Sequence, residues 1–339
     1  MTLPDLLAAI ILVALNAYVL FGGADFGGGV WDLLASGPRR EAQRRLIADA
    51  IGPIWEANHV WLILVIVLLF TCFPPAFAAI TTTLHIPLSL MLVGIVLRGS
   101  AFAFRAHHGP DSAPALRWGR LFAIASAVTP VFLGICLGAL AAGGVPREGK
   151  TGFHAGFVAP WLTPFCLSVG ILALTLFAFL AAVYLTVEAR ERALREDFRV
   201  RALAAAAAVF VAAAGTLVLA LAGAPLVGRG LSASAWALPL HVATGLAALT
   251  AIGALWRRAY RLARVAAAGQ VSLILWGWGL AQYPYIAPPT LTMTDAAAPA
   301  ITLTLVLWGL GAGALVLFPS LVYLFRVFKR SSTAPRPDL

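Results

Sequence analysis

An acid, an amide and an imidazole stand close together in Gly52-Pro53-Ile54-Trp55-Glu56-Ala57-Asn58-His59-Val60-Trp61-Leu62, where an apolar run long enough to enter a membrane begins. An ionised side chain at the centre of an inserted helix costs about 2.5–3.5 kcal/mol, so such groups face a protein interior, a partner or a proton path. Two chemistries suit this set. A carboxyl group held away from water can take and release a proton, and an imidazole can pass protons or ligate a metal. Glu56 and His59 are three residues apart and share a helix face. Pro53 suits a first helical position, and a carboxylate one turn later also complements the helix dipole. His59 is therefore open to three readings: proton transfer, a haem ligand, or a packing contact.

A second acid, Asp25, lies within Gly22-Gly23-Ala24-Asp25-Phe26-Gly27-Gly28-Gly29. Gly23 and Gly27 have the four-residue spacing that lets another helix approach closely, although the same glycines also fit a frayed helix end. At a rise of about 1.5 Å per residue, Asp25 lies roughly 28 Å along a helix that starts near Leu6. That depth brings it to the membrane side on which Glu56 begins its own helix. The two acids either line one entrance as a proton relay or serve as a surface carboxylate and a dipole partner. Arg98 and Arg105 close a later apolar run, either as membrane anchors or as ion-pair partners of Glu56 or another chain. His85, near the middle of that run, and His241 are further imidazoles without a ligand-like spacing. Cys72, Cys136 and Cys166 form no CxxC pair and read as packing residues. The chain has no Walker, GxSxG, HExxH or Rossmann glycine pattern in a suitable context.

The elements that must position these groups are membrane helices. Of 339 residues, 61% are hydrophobic and 11% charged, and the mean hydropathy is +0.91, outside the balance of soluble domains. Continuous Leu- and Ala-rich runs argue against a β-barrel, whose strands alternate. The reading is nine spans, near residues 6–30, 54–73, 76–98, 118–141, 161–186, 203–222, 237–255, 265–283 and 300–325. A net charge of +10 could suggest nucleic acid, but all 24 basic residues except Arg147, Lys150 and Arg229 fall in alternate connections. The positive-inside rule then puts the N-terminus outside and the C-terminus in the cytoplasm, and no nucleic-acid partner is expected. The first span lacks a basic lead and a cleavage site, so it is expected to persist.

Residues 31–53 and 187–202 interleave arginines with apolar residues and are predicted as short amphipathic helices. Ala142–Pro160 reads as an external loop, and Pro284 to Pro288 as a cap and loop after the eighth span. The fold class is thus all-α integral membrane, with two four-helix bundles and one peripheral helix. The units are expected over residues 1–145, 146–290 and 291–339.

Several of these segments, in order along nearly the whole chain, resemble subunit II of the cytochrome bd-type quinol oxidases, including the cyanide-insensitive branch. They are Ala24 to Gly29, Gly52 to Ile63, Phe70 to Phe77, Leu97-Arg98-Gly99, Gly277 to Pro284 and Phe318-Pro319-Ser320. The resemblance implies a multi-pass protein of the bacterial cytoplasmic membrane that pairs with a haem-bearing subunit I, with room for a small third subunit. It implies haems b and d in the partner, none bound by this chain alone, and quinol and dioxygen as substrates of the complex. It also implies that Asp25, Glu56, Asn58 and His59 line a cytoplasmic proton path, with Trp55, Arg98 and Arg105 as interface or electrostatic support. The family often has Asp where this chain has Glu56, and some relatives have an acid where it has Ala103. A proton-coupled secondary transporter and a purely structural assembly subunit are the competing readings; neither inverted repeats nor broken mid-membrane helices are visible in the sequence.

Overall fold

The computed structural model describes residues 2–52, 55–107, 112–145 and 152–331. Pro53, Arg147, Lys150 and Arg336 lie outside the described residues, so the expectations placed on them are not addressed by it. The chain forms α1 (Leu3–Leu33), α2 (Arg40–Ile51), α3 (Trp55–Cys72), α4 (Pro74–Thr83), α5 (His85–Ala106), α6 (Ala113–Ala141) and α7 (Phe153–Phe157). Then follow α8 (Pro164–Glu188), α9 (Arg192–Gly223), α10 (Pro225–Ala233), α11 (Ala237–Trp256), α12 (Tyr260–Gln282), a hairpin of β1 (Tyr285–Ala287) and β2 (Leu291–Thr292), and α13 (Ala300–Ser331).

Local chemistry sets the helix ends. Thr2 and Asp5 form a reciprocal capping box at the start of α1, and Ser112 and Thr163 cap α6 and α8 with side-chain oxygens. Proline at the first helical positions opens α4, α8 and α10, where its missing N–H costs nothing. The predicted third span is broken at Leu84 into α4 and α5. Pro87 explains the break, because it has no N–H to bond the Thr83 carbonyl and its ring crowds that position. His85 is consequently the first residue of α5, and its Nδ1 lies 2.9 Å from the Thr82 carbonyl.

Among the described residues, eight helices are long and apolar enough to cross a membrane: α1, α3, α5, α6, α8, α9, α11 and the Ala300–Tyr323 part of α13. The eighth predicted span, 265–283, is a helix, α12, but falls outside that set. Gln270, Gln282, two tryptophans and three glycines dilute its hydropathy, and it packs against α8, α10, α11 and α1. The predicted amphipathic helix over 31–53 is α2, whose Gln43, Ile47 and Ile51 form one buried stripe. The segment 187–202 differs from expectation. From Arg192 it is the first part of the continuous α9, since nothing between Arg192 and the Ala-rich run interrupts helix hydrogen bonding. The connections predicted to be external also hold more structure than loops: α7, α10 and the β1–β2 hairpin, with the segment after the hairpin tied to the end of α3 by the Ala298 N–H donating to the Cys72 carbonyl at 2.8 Å.

The core lies where α1, α6 and α8 meet, with α9 and α12 against α8 and α3 against α1. Of the candidate spans α8 is the most enclosed and α13 the least. The glycines of α1 are packing positions, not a frayed end. A methyl group at Gly27 would collide with the Phe177 carbonyl of α8, and one at Gly23 would lie 2.7 Å from the Phe177 ring. Gly28 faces Ile51 of α2, and Gly29 faces Ser126 of α6.

Gly27→Ala is therefore expected to destabilise the chain by about 1–3 kcal/mol, the usual cost of overpacking, whereas Gly215→Ala, which meets open space, is expected to be neutral. Thermal unfolding of the purified protein compares them, and equal midpoints for the two variants would contradict the close α1–α8 approach.

Candidate functional site

The glycine run of α1 carries Asp25 into the interior, where it is 5% exposed. Its neighbour across the helix interface is Asn58 on α3, 3% exposed, whose Nδ2 donates to Asp25 Oδ2 at 2.6 Å. Arg98 enters from α5 and is 1% exposed, the largest fully buried side chain. Its guanidinium lies 4.5 Å from the centroid of the Phe26 ring and 5.5 Å from that of Phe122, a cation–π sandwich between α1 and α6. Its charge is coupled to Asp25 and to the Tyr18 hydroxyl, yet Nε and Nη2 are buried without a hydrogen-bond partner among the described residues. Three helices thus converge on one buried anion, one amide and one buried cation.

His59 sits beside this cluster among aromatic rings, with centroid distances of 6.0 Å to Tyr18, 6.2 Å to Phe26 and 6.2 Å to Trp55. Trp55 in turn packs on Phe102 of α5 at 6.0 Å, and its ring fits over Gly99, where a methyl would approach to 3.1 Å. Trp55 therefore clamps the start of α3 to the end of α5. Of the four residues expected to line a proton path, Asp25 and Asn58 are bonded and His59 adjoins them. Glu56 is on the exposed side of α3, and no hydrogen bond or ion pair joins it to Asp25, Arg98 or Arg105 among the described residues. The helical period explains this: residues two apart on a helix do not share a face, so burying Asn58 turns Glu56 outward.

Arg105 finds a different partner. Its Nη1 is 3.2 Å from Asp32 Oδ1, and the same carboxylate has Arg44 of α2 at 3.9 Å. Asp32, 2% exposed, is the buried acid of this region that sequence reasoning missed. A signal existed, since it is an acid seven residues after Asp25 on the same helix, facing the arginine-rich connection that follows. Nearby, Trp31 Nε1 donates to the Ala178 carbonyl at 2.7 Å, fixing α1 to α8.

The same end of the molecule carries a second polar network. Asp197 accepts from Arg39 and from Gln43 Nε2, and Arg201 donates to Gln43 Oε1 at 2.8 Å. Glu196 accepts from Arg199, Arg258 and the Tyr260 hydroxyl. Hydrogen bonds to Asp197 and Glu196 raise Arg39 and Arg258 above the ordinary guanidinium value, so both stay cationic. His85 and His241 lie elsewhere: His85 packs on Phe157 at 5.0 Å, and His241 Nε2 is 2.8 Å from the Leu231 carbonyl. No group of three or more His, Cys, Asp or Glu side chains suited to a metal occurs among the described residues.

Residues 3–328 match the family model described as cytochrome bd terminal oxidase subunit II. The chain belongs to this family. It is 27% identical over 347 residues to the cytochrome bd-I ubiquinol oxidase subunit 2 of Escherichia coli K12, an alignment covering 91% of this chain and 88% of that one. It is 28% identical to the cytochrome bd ubiquinol oxidase subunit 2 of Bacillus subtilis, over 52% of this chain and 51% of that relative. A chain in the structure of the bd oxidase from Geobacillus thermodenitrificans has the same fold, with a TM-score of 0.81 and 24% identity over 97% of this chain and 99% of that one. The family resemblance read from the motifs is thus correct, and its most polar motifs, around Asp25, Asn58 and Arg98, are the ones that meet in the interior.

Removing one side of a buried ion pair strands the other charge, at a cost of about 3–5 kcal/mol. Asp32→Ala is expected to lose stability on that scale, and the double variant with Arg105→Gln to lose less than the sum of the single changes. A double-mutant cycle on thermal unfolding reads the coupling, and strict additivity would show that Asp32 and Arg105 do not support one another.

Proposed function

We propose that this chain is the second subunit of a membrane quinol oxidase that reduces dioxygen to water, and that it lends its partner a path for protons from the cytoplasm. The observation that carries the reading is the Asp25–Asn58 hydrogen bond beside Arg98: a carboxyl group enclosed by three helices, with an amide to orient it and a buried cation whose Nε and Nη2 have no hydrogen-bond partner among the described residues. A carboxyl group in such surroundings can pick up and hand on protons, and the fixed cation keeps its charged form accessible. Glu56 and the exposed residues that follow it on α3, Val60, Ile63, Val67 and Phe70, form the face that we assign to subunit I. Glu56 then receives protons at the subunit boundary, and His59 and Asn58 connect that boundary to Asp25. Ala103 is exposed on α5 and cannot carry a proton, so in this chain the route relies on Glu56 and Asp25.

The haems are assigned to the partner subunit, where they supply the oxygen chemistry. We further assign the arginine-rich end to the cytoplasm and the N-terminus to the outside of a bacterial inner membrane, by the positive-inside rule. Quinol oxidation at the outer side and proton uptake from the inner side would then build a proton motive force without a pump. In this arrangement residues 1–145 and 146–290 make up the two helix groups, and α13 is the peripheral helix.

Loss of a positioned proton donor usually slows a reaction by about 10²–10⁴-fold. Asp25→Asn and Glu56→Gln are each expected to lower quinol-driven oxygen consumption by at least about tenfold, while the complex stays assembled with an unchanged haem spectrum. Normal turnover in an assembled complex would refute the proton path for that residue, and copurification without any haem-bearing subunit would refute the oxidase reading itself.

A further inference from the structure

The arginine-rich end holds a cavity of about 460 Å³ between the end of α8, the start of α9 and the turn joining α11 to α12. Thr186, Arg195, Arg258, Tyr260, Arg261 and Leu262 line it, and no acidic side chain does. The acids next to it are already engaged. Glu196 binds Arg258, Arg199 and Tyr260, and Glu188 lies 3.6 Å from Arg264. Two lining cations are left without an anion. Arg195 is held by one Nη2 bond to the Ala189 carbonyl and by stacking 5.5 Å from the Tyr260 ring centroid, but its Nε is buried with no hydrogen-bond partner among the described residues. Arg261 is exposed and has no hydrogen bond or ion pair among the described residues.

The scaffold around these donors is fixed. Arg258 adopts φ 58°, the single positive φ of a non-glycine residue among those described, and its pairing with Glu196 holds the tight turn that shapes the cavity wall. Apolar surface adjoins the charged interior on one side. Leu262 is 52% exposed, Val265 70% and Trp256 68%, and Leu262 and Val265 are one helical turn apart on the outer face of α12. A ligand suited to this site carries a compact anion for guanidinium donors and a hydrocarbon portion that continues along a membrane helix. Free arginine donors prefer phosphate oxygens, and basic pockets between helices at the cytoplasmic side suit anionic lipid headgroups.

We propose that this cavity binds the phosphate of an anionic phospholipid, with Arg195 and Arg261 as donors and with Leu262 and Val265 against its acyl chains. The lipid would bridge α8, α9, α11 and α12 at the end where the polar network already ties them together, and so stabilise that half of the bundle.

The test uses the full chain, purified in detergent with the subunits that accompany it and then stripped of lipid. Thermal midpoints are followed during titration with phosphatidylglycerol, with phosphatidylcholine and inorganic phosphate as parallel arms. The expected result is saturable stabilisation by phosphatidylglycerol alone, about fivefold weaker in apparent affinity for Arg261→Gln. Arg45→Gln, an exposed arginine of α2 outside the cavity, should titrate like the unaltered chain. Arg261→Gln removes an exposed side chain without partners and should fold normally; Arg195→Lys gives a second reading by keeping the charge and losing Nε. Equal titrations for the unaltered chain and both cavity variants would overturn the proposal. Equal stabilisation by phosphatidylcholine would overturn the anion requirement, and equal stabilisation by inorganic phosphate would assign the site to a free anion instead of a lipid.

Discussion

The close approach of α1 to α8 governs the rest of this molecule. Between membrane helices lipid removes most of the hydrophobic drive, so association depends on packing and on hydrogen bonds between helices. Gly23 and Gly27 allow the backbone of α1 to settle against Phe177 of α8, and Trp31 locks the same interface from the other direction through the Ala178 carbonyl. Because glycine has no side chain on any face, the run from Gly22 to Gly29 accepts α2, α6 and α8 around it. α1 thereby becomes the shared axis to which α3 and α12 are also attached.

That arrangement explains how charge is tolerated inside. A carboxylate in the middle of a glycine-rich helix cannot reach water, so its stability rests on the groups the neighbouring helices bring. Asp25 receives Asn58 from α3 and the field of Arg98 from α5, and Asp32 receives Arg105 from α5 and Arg44 from α2. The two acids of α1 therefore work as opposite cases. Asp32 is matched by two cations and ties helices together. Asp25 is held by a neutral amide beside a cation whose Nε and Nη2 have no hydrogen-bond partner among the described residues, the less completed of the two environments.

At the arginine-rich end, charges that a hydropathy reading treats as anchors are sorted by partner. Arg39, Arg199, Arg201 and Arg258 bind side chains of this chain, whereas Arg195 and Arg261 have no acidic side-chain partner among the described residues. Positive charge thus does two jobs at this end: it joins the ends of α2, α9 and α12, and it leaves a basic recess beside apolar helix surface.

The sequence by itself determined the helical class, most span positions, the amphipathic α2 and the family, because apolar length, arginine alternation and glycine spacing are properties of local sequence. It also brought Asp25 and the Glu56–His59 motif to one depth, which a fixed rise per residue is enough to predict. It did not determine the break at Leu84, the continuity of α9 from Arg192 or the enclosed character of α12, since these depend on single prolines, or their absence, and on neighbours. The pairing of polar groups was decided by the tertiary structure alone. Asn58 rather than Glu56 meets Asp25, and Asp32 rather than Glu56 meets Arg105, because which face of α3 turns inward is set by packing on α1. A helix of near-uniform hydropathy carries no signal of its own for that rotation.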